Sequence, residues 1–251
     1  MLDKAIISDW GSTLFPSDDV TKKLCYAVLS DSAKQVFLKG KIWELLDFAK
    51  LLRVDIELYK KIQQYKDGKR HLREVWEPLN SYFLQGRPVA FIDSVIDEFA
   101  RESAHKIDGR VVRPIRAVHP DYKTGILSSS YGYSIERILE EAGYSDVFDH
   151  IVASRIEKDG DRAIGFTLEI YERKPEIMEE VFFRKHGFRP EGTYYLGNDL
   201  KDDSPVADIL PGGNFIVPFN VSDGKKETFA SKYRAFVPEN EKDLLDYLQK
   251  S

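Results

Sequence analysis

The sequence predicts a doubly wound α/β fold, a parallel sheet covered by helices, with a helical domain inserted after the first strand. Three observations carry this. From Asp108 and Gly109 onward, short apolar runs alternate with amphipathic ones, the pattern of parallel strands joined by crossover helices. A lone apolar run, Lys4 to Ser8, stands far upstream. Between the two, from Ser17 to about Asp108, apolar residues recur at helical spacing almost without interruption. The sheet-bearing core is therefore expected in residues 1–15 with 109–251, and the helical insertion in 16–108.

Lys4-Ala5-Ile6-Ile7-Ser8 reads as a short buried strand, bounded by a turn at Gly11, Ser12 and Thr13. The helical block opens with a stripe of Leu24, Val28 and Leu29, which makes Cys25 a packed thiol rather than a reactive one. Helical periodicity continues over 36–52, 58–65, 72–84 and 91–104, punctuated by Gly40, Asp67-Gly68 and Gly86-Arg87-Pro88. Trp43, Trp76, Tyr82, Phe83 and Phe91 fit packing inside that block. In the core, strands are expected at 124–127, in a segment 147–153 that begins as a turn, at 193–196 and at 214–218. Helices are expected at 134–142, 175–186 and 239–249, the last with Leu244, Leu245 and Leu248 inward. No repeat, low-complexity stretch or heptad pattern interrupts this order.

At 251 residues the chain is long enough for a core of about 150 residues and an insertion of about 100. No apolar run approaches the roughly 18 to 20 residues that cross a bilayer, so no membrane partner is expected. Met1-Leu2-Asp3-Lys4 leads straight into the first strand without the features of a secretory signal. A single cysteine cannot form an internal disulfide, and the expected compartment is the reducing cytoplasm. A net charge of -5 gives no electrostatic case for nucleic acid or anionic membranes, which leaves a small soluble substrate. His71, His105, His119, His150 and His186 are scattered without ligand spacing and read as surface or capping residues.

In an open α/β sheet ligands bind beyond the carboxyl ends of the strands. Polar residues sit at four such places: Asp9; Ser128, Ser129 and Ser130; Lys174 before a helix; and Asn198, Asp199, Asp202 and Asp203. A carboxylate can attack an electrophile while other carboxylates hold a hard cation such as Mg2+. A hydroxyl and an ammonium can bind the anionic oxygens of a substrate. Gly11 and Gly197 permit close backbone approach. Asp202 and Asp203 also read as an acidic pair at a helix N-terminus, compatible with a metal role.

These residues, in this order, resemble the four motifs of the haloacid dehalogenase superfamily. Asp9-Trp10-Gly11-Ser12-Thr13-Leu14-Phe15 is similar to its first motif, Asp-x-Asp-Gly-Thr-Leu-Phe, and Gly125-Ile126-Leu127-Ser128 to its second. Arg173-Lys174-Pro175 resembles the third; Gly197-Asn198-Asp199-Leu200-Lys201-Asp202-Asp203 resembles the fourth. The resemblance implies a Rossmann-like core whose helical insertion is a cap. It implies that Asp9 is a nucleophile forming an aspartyl-phosphate, with Ser128 and Lys174 as its catalytic partners. It implies phosphate contacts from Ser12, Thr13, Ser128, Ser129 and Lys174, and Mg2+ held by Asp9, Gly11, Asn198, Asp199 and Asp203. The implied activity is a Mg2+-dependent phosphatase-like hydrolase of a small phosphorylated metabolite.

Two positions depart from the pattern. Gly11 stands where most phosphatases of the superfamily carry an aspartate as general acid and base, a role commonly worth about 10²- to 10⁴-fold in rate. Asn198 replaces the first aspartate of motif four and removes one charge. Branches lacking the motif-one aspartate open alternatives. Phosphonoacetaldehyde hydrolases read Asp-Trp-Ala-Gly-Thr and use a cap lysine as a Schiff base, for which Lys39, Lys41, Lys60 and Lys69 are candidates. Haloacid dehalogenases proper read Asp-x-Tyr-Gly-Thr-Leu-Phe and need no metal. A phospho-ligand-binding relative without turnover is the non-enzymatic alternative.

Overall fold

The computed structural model describes residues 4–16, 20, 23, 24, 26–28, 30, 31, 84–167, 170 and 173–250. The expectations for Cys25, Lys39, Lys41, Lys60, Lys69, His71, Trp43, Trp76, Tyr82 and Phe83, and for the helices between 36 and 83, lie outside these residues. The chain divides into two compact units: residues 1–17 with 100–154 and 169–251, and residues 18–99 with 155–168.

The first unit is built on a five-stranded sheet in the order β3-β2-β1-β6-β7. Its strands are β1 (Lys4–Ser8), β2 (Tyr122–Tyr131), β3 (His150–Ser154), β6 (Thr193–Leu196) and β7 (Phe215–Ile216). Every pairing is parallel. β1 lies in the middle: Ile7 is opposite Gly125 of β2 on one side and Tyr195 of β6 on the other. A strand buried on both faces must be apolar throughout, which is why Ala5, Ile6 and Ile7 follow one another without alternation. β6 is also buried at all four positions, and its polar atoms are paired, Thr193 Oγ1 on the Arg189 carbonyl and the Tyr195 hydroxyl on Asp203. The chain pairs β1 first with β2 and later, from the opposite side, with β6, so strand order reverses beside β1. That reversal is the topological switch point at which such sheets bind ligands.

Helices flank this sheet, as the alternating pattern predicts. α2 (Gly109–Val118) starts at Asp108, whose side chain accepts the Arg110 amide, and buries Val111, Val112, Ile115 and Val118. α7 (Glu241–Lys250) packs on α2, with Leu244 and Leu248 buried and Leu245 only partly so. α3 (Gly132–Glu141) buries Ile135, Ile138 and Leu139. α6 (Asp223–Tyr233) inserts Phe229 against Phe215, ring on ring at 5.1 Å. α4 (Lys174–Ile177) continues through Met178–Lys185 with wider π-helical winding, and Phe182 from this stretch fills the space left by Gly125. A Cβ on Gly125 would lie 2.5 Å from the Phe182 ring. α5 (Ser204–Ala207) is a single turn after β6.

Several expectations are corrected. β2 does not stop at Leu127 but runs on to Tyr131, its pairing with β3 becoming irregular between Ser128 and Tyr131, so the serines belong to the strand. The predicted helix at 175–186 is wound partly as a π-helix. His150 and His186 are not scattered: their rings stack with centroids 3.8 Å apart.

In the second unit, α1 (Val89–Ser103) buries Ile92, Ile96 and Phe99, while the predicted Phe91 is half-buried; its last turn, from Ala100, belongs to the first unit. A hairpin of β4 (Ile156–Asp159) and β5 (Arg162–Phe166) has no counterpart in the sequence reading. Its second strand is joined by the backbone to 86–89, through Gly86 N to Ala163 O at 2.7 Å and Ala163 N to Arg87 O at 2.8 Å. Among the described residues no helix is long and apolar enough to cross a membrane.

Candidate active site

β1 delivers Asp9 to the switch point. The Asp9 amide donates to the Leu196 carbonyl at 2.8 Å, carrying the β1–β6 pairing one residue past β1 and fixing the backbone there. The chain then turns back, the amides of Thr13, Leu14 and Phe15 all directed at the Trp10 carbonyl. Ser12 takes a left-handed φ of 57°, and its carbonyl accepts the Asn220 side-chain amide at 2.6 Å. Trp10 is fully buried and stacks on Phe15 at 5.4 Å. Within this turn the Thr13 hydroxyl donates to Asp9 Oδ2 at 3.2 Å.

Lys174 opens α4 with only 1% of its surface exposed. Its Nζ lies 3.0 Å from Asp9 Oδ1, 2.7 Å from Asp202 Oδ2 and 2.6 Å from Asp203 Oδ1. A buried ammonium is tolerated only when paired, and here three carboxylates face one cation. Asp203 is itself saturated. Oδ1 accepts Lys174 Nζ and the Tyr195 hydroxyl, the latter at 2.8 Å, while Oδ2 accepts the amides of Asn198 and Asp199 at 2.8 and 2.9 Å. Asp199 Oδ1 in turn accepts the amides of Lys201 and Asp202, closing the loop after β6.

Of the predicted residues, the structure thus joins Asp9, Thr13, Lys174 and Asp203 through side chains, and Asn198 and Asp199 through backbone amides. Ser128 stands at the same end of the sheet on β2, buried, its hydroxyl accepting the Ser130 amide at 3.2 Å. Ser129 and Gly11 are half-buried nearby in sequence, and Ser12 is exposed. Asp203, expected on the metal, has all its contacts on protein donors. Asp202, a strand-end candidate in the sequence, meets Lys174 rather than standing free for a cation, and Tyr195 is the site residue that the sequence does not mark, since nothing beyond its β6 position sets it apart.

Burial raises the Asp9 carboxyl to about 7; Lys174 pulls it down, while Asp203 and Asp202 push it further up. Asp202 is also raised, first by burial, with Lys174 opposing and Asp203 adding. Burial works against the Lys174 charge, but Asp203 and Asp9 hold its pKa well above the usual lysine value. By formal charge, three carboxylates outweigh the one ammonium, and their mutual repulsion adds to burial in raising Asp9 and Asp202. That surplus, with donors that are all oxygen, fits a hard divalent cation such as Mg2+. Among the described residues no three acidic or imidazole side chains form a cage for a metal, since the carboxylates converge on Lys174. Magnesium needs no such cage: it commonly takes one or two carboxylates and keeps several waters.

A sequence profile described as haloacid dehalogenase-like hydrolase matches residues 6–207. No curated protein sequence matches the chain. Among solved structures, the fold is similar to a phospho-aspartyl intermediate analogue of phosphoserine phosphatase, with TM-score 0.62, 17% identity, and 99% of this chain and 100% of that one covered. It is similar to cytosolic 5'-nucleotidase IIIB bound to cytidine, with TM-score 0.66, 15% identity, and 99% and 86% covered. A substrate-bound phosphoserine phosphatase gives TM-score 0.58 at 17% identity, with 99% of each chain covered. At these identities the likeness is one of fold.

Proposed function

Because this chain belongs to the haloacid dehalogenase-like hydrolase family, we propose that it is a cytoplasmic, Mg2+-dependent phosphatase of a small phosphorylated metabolite, with Asp9 as nucleophile. The observation that carries the reading is the Lys174 ammonium bonded to Asp9 at the switch point of the sheet. In this reading Asp9 attacks the phosphorus of a phosphoester, the bond to the leaving oxygen breaks, and water then releases phosphate and restores the carboxylate. Lys174 holds Asp9 in place and offsets charge on the transferring group, with Ser128, Ser129, Ser12 and Thr13 as phosphate contacts. Asp9, the Gly11 carbonyl, Asn198 and Asp199 would hold Mg2+, with Asp203 keeping the 198–199 loop in shape. When bound, the cation supplies electrostatic stabilisation of the phosphoryl oxygens. Residues 16–108 are the cap of this reading and carry substrate choice.

Gly11 offers no proton to the leaving oxygen. The enzyme therefore favours substrates whose leaving groups depart as stable anions, such as aryl and acyl phosphates. The test is a panel of alkyl, aryl and acyl phosphates and haloacids, assayed with Mg2+ and with chelator. Expected is metal-dependent phosphate release, fastest from aryl and acyl phosphates. Metal-independent halide release, or phosphate binding without turnover, would overturn the reading.

A further inference from the structure

Tyr195 sits in the middle of β6 with no exposed surface, its ring packed 5.6 Å from that of Phe215. Its hydroxyl is spent on Asp203 Oδ1, the oxygen that Lys174 Nζ also approaches. With the two backbone amides on Oδ2, four donors fill the roughly four lone-pair sites of one carboxylate. The neighbouring glycine is fitted to this contact. A Cβ on Gly197 would lie 2.7 Å from Asp203 Cβ and Cγ and 2.8 Å from the Tyr195 ring.

We infer that Tyr195 is a positioning residue: acting through Asp203, its hydroxyl sets how the Lys174 ammonium is shared between Asp203 and Asp9. With the hydroxyl in place, Asp203 Oδ1 is partly occupied, and Lys174 stays bonded to Asp9 as well. Without it, that oxygen is offered to the lysine alone, and the ammonium is drawn off Asp9. The phenol reaches no reacting atom in this scheme. The inference rests on the assignment of Asp9 as nucleophile and Lys174 as its partner.

The test is Tyr195→Phe, which removes one oxygen and keeps the ring. With p-nitrophenyl phosphate and Mg2+, kcat falls about tenfold or more, as for a lost hydrogen bond to a charged group. KM stays within about twofold. The thermal midpoint does not fall in proportion. An unchanged kcat, or kcat and KM moving together with a lowered midpoint, overturns the inference. A second measurement needs no activity: urea unfolding of Tyr195→Phe, Lys174→Met and the double variant. A non-additivity of threefold or more in the unfolding constant is expected, and additivity overturns the inference. Lys174→Arg replaces Lys174→Met if the latter does not fold. Should the unaltered chain hydrolyse no phosphoester, the proposed function fails while this cycle still decides the role of Tyr195.

Discussion

Lys174 shows why a motif position can be legible while its environment is not. The Lys-Pro pair at a helix start points to the residue, and the structure bonds it to Asp9 as the motif implies. Nothing in the sequence says that its ammonium also meets Asp202 and Asp203, or that Tyr195 completes Asp203, because these contacts depend on how β6 and its loop fold back. Removing a partner from a buried ionic cluster leaves charges unpaired. Lys174→Met should therefore lower stability by about 3 to 5 kcal/mol in urea unfolding as well as lowering turnover. Loss of turnover with unchanged stability would mean that the cluster is solvated. Gly11 supports a prediction of opposite sign. Gly11→Asp supplies the missing acid, so turnover of alkyl phosphates should rise by up to about 10²-fold relative to aryl phosphates. An unchanged alkyl-to-aryl ratio would remove Gly11 from the explanation.

At the scale of elements, strands buried on both faces were legible because their apolar runs leave one environment that suits them. Thr193–Leu196 is such a case, identical in sequence reading and structure. The β4–β5 hairpin was not legible. β4 is three charged residues after Ile156, β5 carries Ala163, Ile164 and Phe166 with only Ala163 buried, and the Asp159-Gly160 pair, with Gly160 at a φ of 59°, is its one cue. Helix α6 escaped for a similar reason, since Phe229 is its only buried residue. The junction of β2 with the π-helix makes a sharp prediction. Gly125→Ala sets a methyl against the Phe182 ring and should cost about 1 to 3 kcal/mol, with Gly125→Ala, Phe182→Leu recovering part of it. Asp149 ties the start of β2 to the start of β3. Burial opposes its charge, but bonds from Thr124 and His119 hold its pKa below the ordinary value. A lowered folded pKa stabilises above the unfolded value, 3.8, and that contribution is lost as pH falls through the folded one. Wild type and Asp149→Asn should therefore differ in thermal midpoint near neutrality and converge in acid; a constant difference across pH would contradict the assignment.

Over the whole molecule, a parallel sheet follows from the alternation of strand and helix, whereas the strand order β3-β2-β1-β6-β7, with β1 at its centre, is set by the crossovers. That order gathers residues from 9, 174 and 202–203 into one cluster, which sequence separation conceals. The family and its hydrolytic core were accessible from four short motifs because each places its chemistry at a strand end or helix start. Specificity has no such anchor. If phosphate passes through Asp9, the aspartyl-phosphate can be trapped. The protein is mixed with p-nitrophenyl phosphate and Mg2+, quenched in acid within one turnover, reduced with borohydride and digested for mass spectrometry. Homoserine at position 9, formed by reduction of the acyl phosphate, is the expected product. Phosphate release with position 9 still aspartate, and a reduced residue elsewhere, would contradict passage through Asp9.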